Sequence, residues 1–161
     1  MADLEDPDEL ARWGIVNDGV MGGRSSSTTD VTDSVLRVMG EIVTDGGGFS
    51  SVRLRLDEPP GEVTTLRLRI RTDGRAYELT AADAAPGRDR RVLFLSPIPA
   101  VGAGDWEEVS VDLGQLEASI FGRTVTVEPF DPTSAIEVGM ILADGQDGRF
   151  EVELDWIDAC P

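Results

Sequence analysis

Thr65-Leu-Arg-Leu-Arg-Ile-Arg-Thr72 alternates apolar and charged residues without a break. Leu66, Leu68 and Ile70 fall on one side and Arg67, Arg69 and Arg71 on the other. That is the period of a β-strand with one face in a core and the other outside it. The same period recurs along the chain. Val52, Leu54 and Leu56 alternate with Arg53 and Arg55, while Ile136, Val138, Met140 and Leu142 form one set and Phe150, Val152, Leu154 and Trp156 another. Gly, Pro, Asp and Asn separate these segments, as in all-β proteins. Helical signal is poor: Leu113 to Phe121 suggests one helical turn, and Ala81 to Arg90 reads as a loop. About ten strands without βαβ spacing predict an all-β chain of two packed antiparallel sheets.

Composition sets the frame. A chain of 161 residues is expected to form one domain, here residues 9–161 behind an acidic, solvated tail at 1–8. A domain this long buries about 70% of its unfolded surface and needs no disulfide or metal to hold it. Cys160 is the single cysteine, which favours a reducing compartment. No apolar run reaches the length of a membrane span, and Met1-Ala-Asp-Leu-Glu5 has no signal-peptide pattern. A soluble cytoplasmic protein is expected. The net charge is −17, and all 14 basic residues are arginine. Such a surface repels itself until molar salt shortens the Debye length to about 3 Å. We read it as adaptation to a salt-rich cytoplasm; a preference for arginine codons would explain the arginines but not the acids. The same charge argues against nucleic acid as a partner.

The most distinctive stretch is Trp13-Gly-Ile-Val-Asn-Asp-Gly-Val-Met-Gly-Gly-Arg-Ser25. Its glycines mark backbone that turns tightly or passes close to another group, and Asn17 and Asp18 close local turns. It reads as a shaped loop between strands. Gly23 is followed by Arg24 and Ser25, so the Gly-Lys-Ser/Thr of a phosphate loop is missing, as is the G-x-G-x-x-G spacing.

Asn17-Asp-Gly-Val-Met-Gly-Gly-Arg-Ser25, after Trp13, resembles the signature of the complex I intermediate-associated protein 30 family. Further segments follow in the family's order: Gly40-Glu-Ile42 with Gly47-Gly-Phe-Ser-Ser-Val-Arg53, Asp73-Gly-Arg-Ala-Tyr77, Trp106-Glu-Glu-Val109 and Gly148-Arg-Phe-Glu-Val-Glu-Leu-Asp-Trp-Ile157. The resemblance spans residues 9 to 158. After the Trp106 strand the family carries a Pro-Phe pair and a longer loop, where this chain reads Val111-Asp-Leu-Gly-Gln-Leu116. The resemblance implies a galactose-binding-like jelly roll. It also implies a role in assembling a respiratory NADH:quinone oxidoreductase-type complex through protein partners, with no cofactor.

The candidate binding surface is the motif loop with its neighbours: Asn17, Asp18, Gly19, Met21, Gly22, Gly23, Ser25, Arg53, Arg75 and Tyr77. The loop either lines an interaction surface or is locked by Asp18 bonding to a strand arginine such as Arg53. The arginine ladder, Arg53, Arg55, Arg67, Arg69 and Arg71, projects from two strands expected to be neighbours. It either grips a carboxylate-bearing partner or pairs across strands with groups such as Glu78, Glu108 and Asp112. The motifs Asp144-Gly-Gln-Asp-Gly148 suggest a hairpin turn more than a calcium loop, since the spacing and terminal Glu of an EF-hand are missing. Trp13, Trp106 and Trp156 would suit sugar stacking only if exposed together, and Trp156 is expected in the core.

Catalysis has little to work with. The chain has no histidine, which excludes Ser-His-Asp and Cys-His machinery. Paired carboxylates hydrolyse glycosides, but 31 acidic residues nominate no particular pair. No metal site is expected, because zinc favours His or Cys. The reading is a non-catalytic, protein-binding module; the alternative is a jelly roll binding a carbohydrate or another small ligand.

Overall fold

The alternating segments do become strands, and they build a two-sheet antiparallel jelly-roll sandwich. The computed structural model describes residues 4, 8–99 and 101–161. The first sheet has seven strands in the order β1 (Trp13–Asn17), β4 (Ser50–Arg55), β11 (Ala135–Leu142), β6 (Tyr77–Asp83), β7 (Leu93–Pro97), β9 (Glu117–Ile120) and β10 (Arg123–Thr124). The second has five: β2 (Ser26–Thr32), β3 (Val35–Ile42), β12 (Gly148–Cys160), β5 (Thr65–Thr72) and β8 (Trp106–Asp112). The inner faces make the core. Leu36, Leu68, Ile70, Leu154 and Ile157 of the smaller sheet and Leu54, Leu79, Val138 and Leu142 of the larger are all buried. Each such side chain contributes about 1.5–3 kcal/mol on removal from water.

Two β-bulges correct the simple alternation. On β11 the register shifts between Ala135 and Glu137, so Ala135 turns inward and Ile136 is left 47% exposed. On β12 it shifts between Leu154 and Trp156, so Ile157 enters the core and Trp156 does not. One extra residue reverses which face every later side chain takes.

The two arginine-bearing strands are not neighbours. β4 lies in the larger sheet and β5 in the smaller, because the connection through Pro59 and Pro60 crosses the sandwich instead of folding back as a hairpin. Prolines cannot donate to a ladder, which suits a crossing. Of the segment expected to be a loop, Ala81 to Asp83 completes β6; of the suggested helical stretch, only Leu113–Gln115 winds into a 3₁₀ turn before β9. Most of the expected tail lies outside the described residues, but Leu4 within it is packed in the core.

One end of the larger sheet is closed by the chain between β10 and β11. Phe130 meets Phe94 edge-on at 5.4 Å. A buried ion pair, Arg88 to Asp83 at 2.7 Å, lies beneath it, and Arg88 also donates to the carbonyls of Glu128 and Pro129.

Candidate functional site

β1 and β2 belong to different sheets, so the glycine loop between them carries the chain across the sandwich edge. After Asn17 it turns through a 3₁₀ segment, Asp18–Met21, and then through Gly22 at φ 86°. Asp18 is fully buried. Its carboxylate accepts hydrogen bonds from the Ser25 N–H at 2.9 Å, the Ser25 hydroxyl at 2.6 Å and the Gly48 N–H at 2.6 Å. Its own N–H donates to the Phe49 carbonyl at 3.2 Å. The glycines explain themselves here: a Cβ on Gly23 would lie 2.5 Å from Asp18 Oδ1, and one on Gly47 2.5 Å from Oδ2. Backbone wraps the carboxylate where no side chain fits. Burial opposes ionisation, but the hydrogen bonds from Ser25, Gly48 and Phe49 together outweigh it and hold the Asp18 carboxyl below its ordinary range.

Arg53 is not part of this cradle. It stands on the outer face of β4, donating to Ser51 Oγ at 3.0 Å and to Glu137 at 3.4 Å. The expected Asp18–Arg53 lock is replaced by backbone and hydroxyl donors, because Asp18 points inward and Arg53 outward. Asn17 closes the sheet edge instead: its Oδ1 accepts from Ser27 Oγ, which accepts in turn from Ser50 Oγ.

Arg75 and Tyr77 form a second cluster. Asp144–Gly148 joins β11 to β12, which lie in different sheets, so it is a crossing between sheets and not the expected hairpin. Its centre holds the Arg75 guanidinium, which donates to Asp144 (2.6 and 2.9 Å) and to the carbonyls of Gln146, Gly148 and Arg149. The hydrogen bond from Arg75 holds the Asp144 carboxyl below its usual range. Among the described residues no group of three or more His, Cys, Asp or Glu could hold a metal ion. Tyr77 is buried and donates to Asp73, with burial the main cause of its raised pKa.

The segment 44–48 stitches the two clusters together. The Thr44 N–H donates to Asp147, and Gly47 and Gly48 wrap Asp18. Of the residues expected at the site, Asn17 to Ser25, Arg75 and Tyr77 therefore meet at one end of the sandwich, and Arg53 stands apart. The sequence reading missed Gly47, Gly48 and Phe49 as partners of Asp18. The Gly46-Gly-Gly-Phe49 run was the available signal.

At the tip of the loop the exposed side chains are apolar, beside the solvent-exposed Arg24–Asp45 pair. Val20 is 76% exposed and Met21 55%. On the smaller sheet four arginines are engaged in cross-strand pairs. Arg67 bonds Glu108 at 3.0 Å, Arg69 pairs with Asp155, and Arg37 and Arg71 share Glu153. The partners come from β8 and β12; Glu78 is on the other sheet. Arg69 and Arg71 cover the Trp106 ring at 4.8 Å and Arg67 covers Trp156 at 5.6 Å, while Trp13 is buried, so the three tryptophans form no shared exposed surface.

No helix among the described residues is long and apolar enough to cross a membrane. Among solved structures, the fold is similar to a family 11 carbohydrate-binding module from Clostridium thermocellum in complex with a mixed-linked tetrasaccharide. That match has a TM-score of 0.65 at 14% identity, over 92% of this chain and 91% of that one. The family 11 module of a cellulosomal cellulase from the same organism gives 0.67 at 14% identity, over 96% and 92%. An agarase matches at 0.64 and 9% identity over 99% of this chain and 24% of its own. At these identities the likeness is one of fold. The family assignment comes from the sequence, whose residues 2–154 match the model of complex I intermediate-associated protein 30, and to that family this chain belongs.

Proposed function

We propose that this chain is a non-catalytic docking module that helps assemble a respiratory NADH:quinone oxidoreductase-type complex, working in a salt-rich cytoplasm. The observation that carries the proposal is the contrast within one loop. Asp18 is fully buried and held by three donors, while Val20 and Met21, two and three residues on, stand 76% and 55% exposed. A pre-ordered apolar tip loses little conformational entropy when a partner covers it. Methionine is suited to such contacts because it adapts its shape. Family membership supplies the kind of partner, a subunit or intermediate of the respiratory complex. The absence of histidine from the sequence supports binding over turnover.

The test is affinity capture from the native host in multimolar KCl, with the wild-type chain and a Val20→Ser/Met21→Ser double variant as baits. We expect respiratory-complex subunits on the wild type and their loss from the variant, with both circular-dichroism spectra native. Equal capture by both baits, or no such subunits on either, would refute the proposal.

A further inference from the structure

The two sheets end in β1, β10, β2 and β8, and these edges are not equally protected. An edge presents a row of unpaired backbone groups, and brevity, charge or a bulge normally keeps other chains off it. β10 is two residues long, and β1 is five with Gly14 among them. β8 carries Glu107, Glu108 and Asp112. β2 has none of these guards. Ser26–Thr32 pairs with β3 along its whole length without a bulge, its one charge is Asp30, and none of its residues is buried. Every second residue of such a strand turns its N–H and C=O away from its neighbour. Among the described residues no other strand pairs with that side of β2.

A groove of about 560 Å³ opens beside this edge on the outer face of the smaller sheet. It runs from Ser26 and Thr28 on β2, past Met39 and Glu41 on β3, to Arg149 and Glu151 on β12. The two β2 side chains are short, which leaves the groove open toward the free edge. Elsewhere on this face the arginines are paired, but Arg149 stands in register with Glu41 and no ion pair joins them. Among the described residues the exposed Glu41 carboxylate has no partner. Asp73 also lines the groove, so its acids outnumber its one arginine and it suits a cation. A strand added to β2 would stand two strand spacings, about 10 Å, from β3. A long basic side chain crosses that distance over Ser26, with its stem along Met39 and its head at Glu41.

We infer that the free edge of β2 receives an extended segment of a protein partner, added as a further strand, whose arginine or lysine lies over Ser26 and pairs with Glu41. Main-chain hydrogen bonds hold such a segment and the groove selects its side chain. β2 begins directly after the loop, so this surface continues from the Val20–Met21 tip, and the inference rests on the docking reading only in taking the partner to be a protein. The experiment is an NMR titration of the ¹⁵N-labelled chain in multimolar KCl with two blocked heptapeptides of alternating threonine and valine, one with lysine at its centre and one with glutamate. The lysine peptide should give saturable shifts across the Ser26–Thr32 amides and slow the hydrogen exchange of alternate ones. Its binding should weaken about threefold in Glu41→Gln, the worth of an exposed ion pair, and further in Thr28→Lys, which charges the edge and fills the groove. No saturable shift on β2 with the lysine peptide, equal affinity for the glutamate peptide, or no loss in Glu41→Gln overturns the inference. A chain that sediments as a dimer, and as a monomer in Thr28→Lys, would give the edge to a second copy and overturn it as well. Val20→Ser/Met21→Ser should bind the lysine peptide unchanged, while its capture of respiratory-complex subunits tests only the tip, so either surface can fail alone.

Discussion

Replacing Asp18 by asparagine tests the central claim about the motif loop, because it keeps the shape and removes the charge. The carboxylate accepts three hydrogen bonds through two oxygens: Oδ1 from the Ser25 N–H, and Oδ2 from Gly48 and the Ser25 hydroxyl. Asparagine has one oxygen. If it takes the place of Oδ2, its NH₂ faces the Ser25 N–H, donor against donor. If it takes the place of Oδ1, the NH₂ faces the Gly48 N–H. Either way one buried backbone donor is orphaned, at about 1–3 kcal/mol, and the surviving bonds lose their charge assistance. The sum is about 3–5 kcal/mol, a large share of the 5–15 kcal/mol typical of a domain. At about 2–4 °C per kcal/mol for a chain of this size, the melting temperature should fall by about 10 °C or more.

The assay is thermal unfolding by circular dichroism in multimolar KCl at neutral and acid pH. The folded pKa of Asp18 lies below its ordinary value. Its ionised cradle therefore stabilises the fold fully above about pH 4, and that contribution is lost as pH falls through the lowered folded value. The gap between wild type and Asp18→Asn should be constant near neutrality and narrow below about pH 4. The other depressed carboxyls, Asp144 and Glu153 among them, occur in both proteins and cancel in the difference. A variant melting within about 1 °C of wild type at pH 7 would refute the cradle as the element that locks the loop, since even one orphaned donor exceeds that.

Three further outcomes follow from other contacts. Arg75→Lys keeps the charge but loses the fork that reaches Asp144 and three carbonyls; limited proteolysis should cut first at 144–148, and an unchanged pattern would argue against Arg75 as the anchor. Phe121 sits at φ 49° and is 68% exposed at the β9–β10 turn; Phe121→Asn should raise the melting temperature by about 2–4 °C, since asparagine tolerates that backbone, and a drop would reveal a contact the ring makes. The net charge of −17 predicts a melt that rises steeply from dilute buffer to multimolar KCl, and a salt-independent melt would contradict the halophilic reading.

Much of the fold was legible because strand periodicity is local. Thr65–Thr72 declares its inner and outer faces in eight residues, and the structure keeps both. What failed depends on partners distant in sequence. A bulge at Trp156 arises from pairing with β5, far upstream, so nothing in Phe150-Glu-Val-Glu-Leu154 announces that the phase will reverse. The same is true of Ile136. Placing β4 beside β5 followed from their closeness in the chain, but the sandwich assigns these two strands to opposite sheets. That error also put Glu78 opposite the ladder, although Glu108 does meet Arg67 as expected. The candidate site was legible as a cluster of residue types, but the partners of its one buried charge were not: carboxylates more often meet guanidinium, and here the donors are a serine and two backbone amides contributed by Ser25 and Gly48.

The cradle changes what the family signature in this chain can be said to encode. Of Asn17 to Ser25, Asp18, Gly23 and Ser25 answer to the buried carboxylate, Asn17 to the hydroxyls of the sheet edge, and Gly22 to a positive φ. Arg24 pairs in solvent with Asp45. These roles are internal and would be required whether or not anything docked. Val20 and Met21 are different. Nothing in the cradle needs an apolar side chain at either position, and water disfavours both. A docking partner must therefore be sought through those two residues. Substitutions at the glycines or at Asp18, which collapse the loop, would abolish binding without saying where the partner sits.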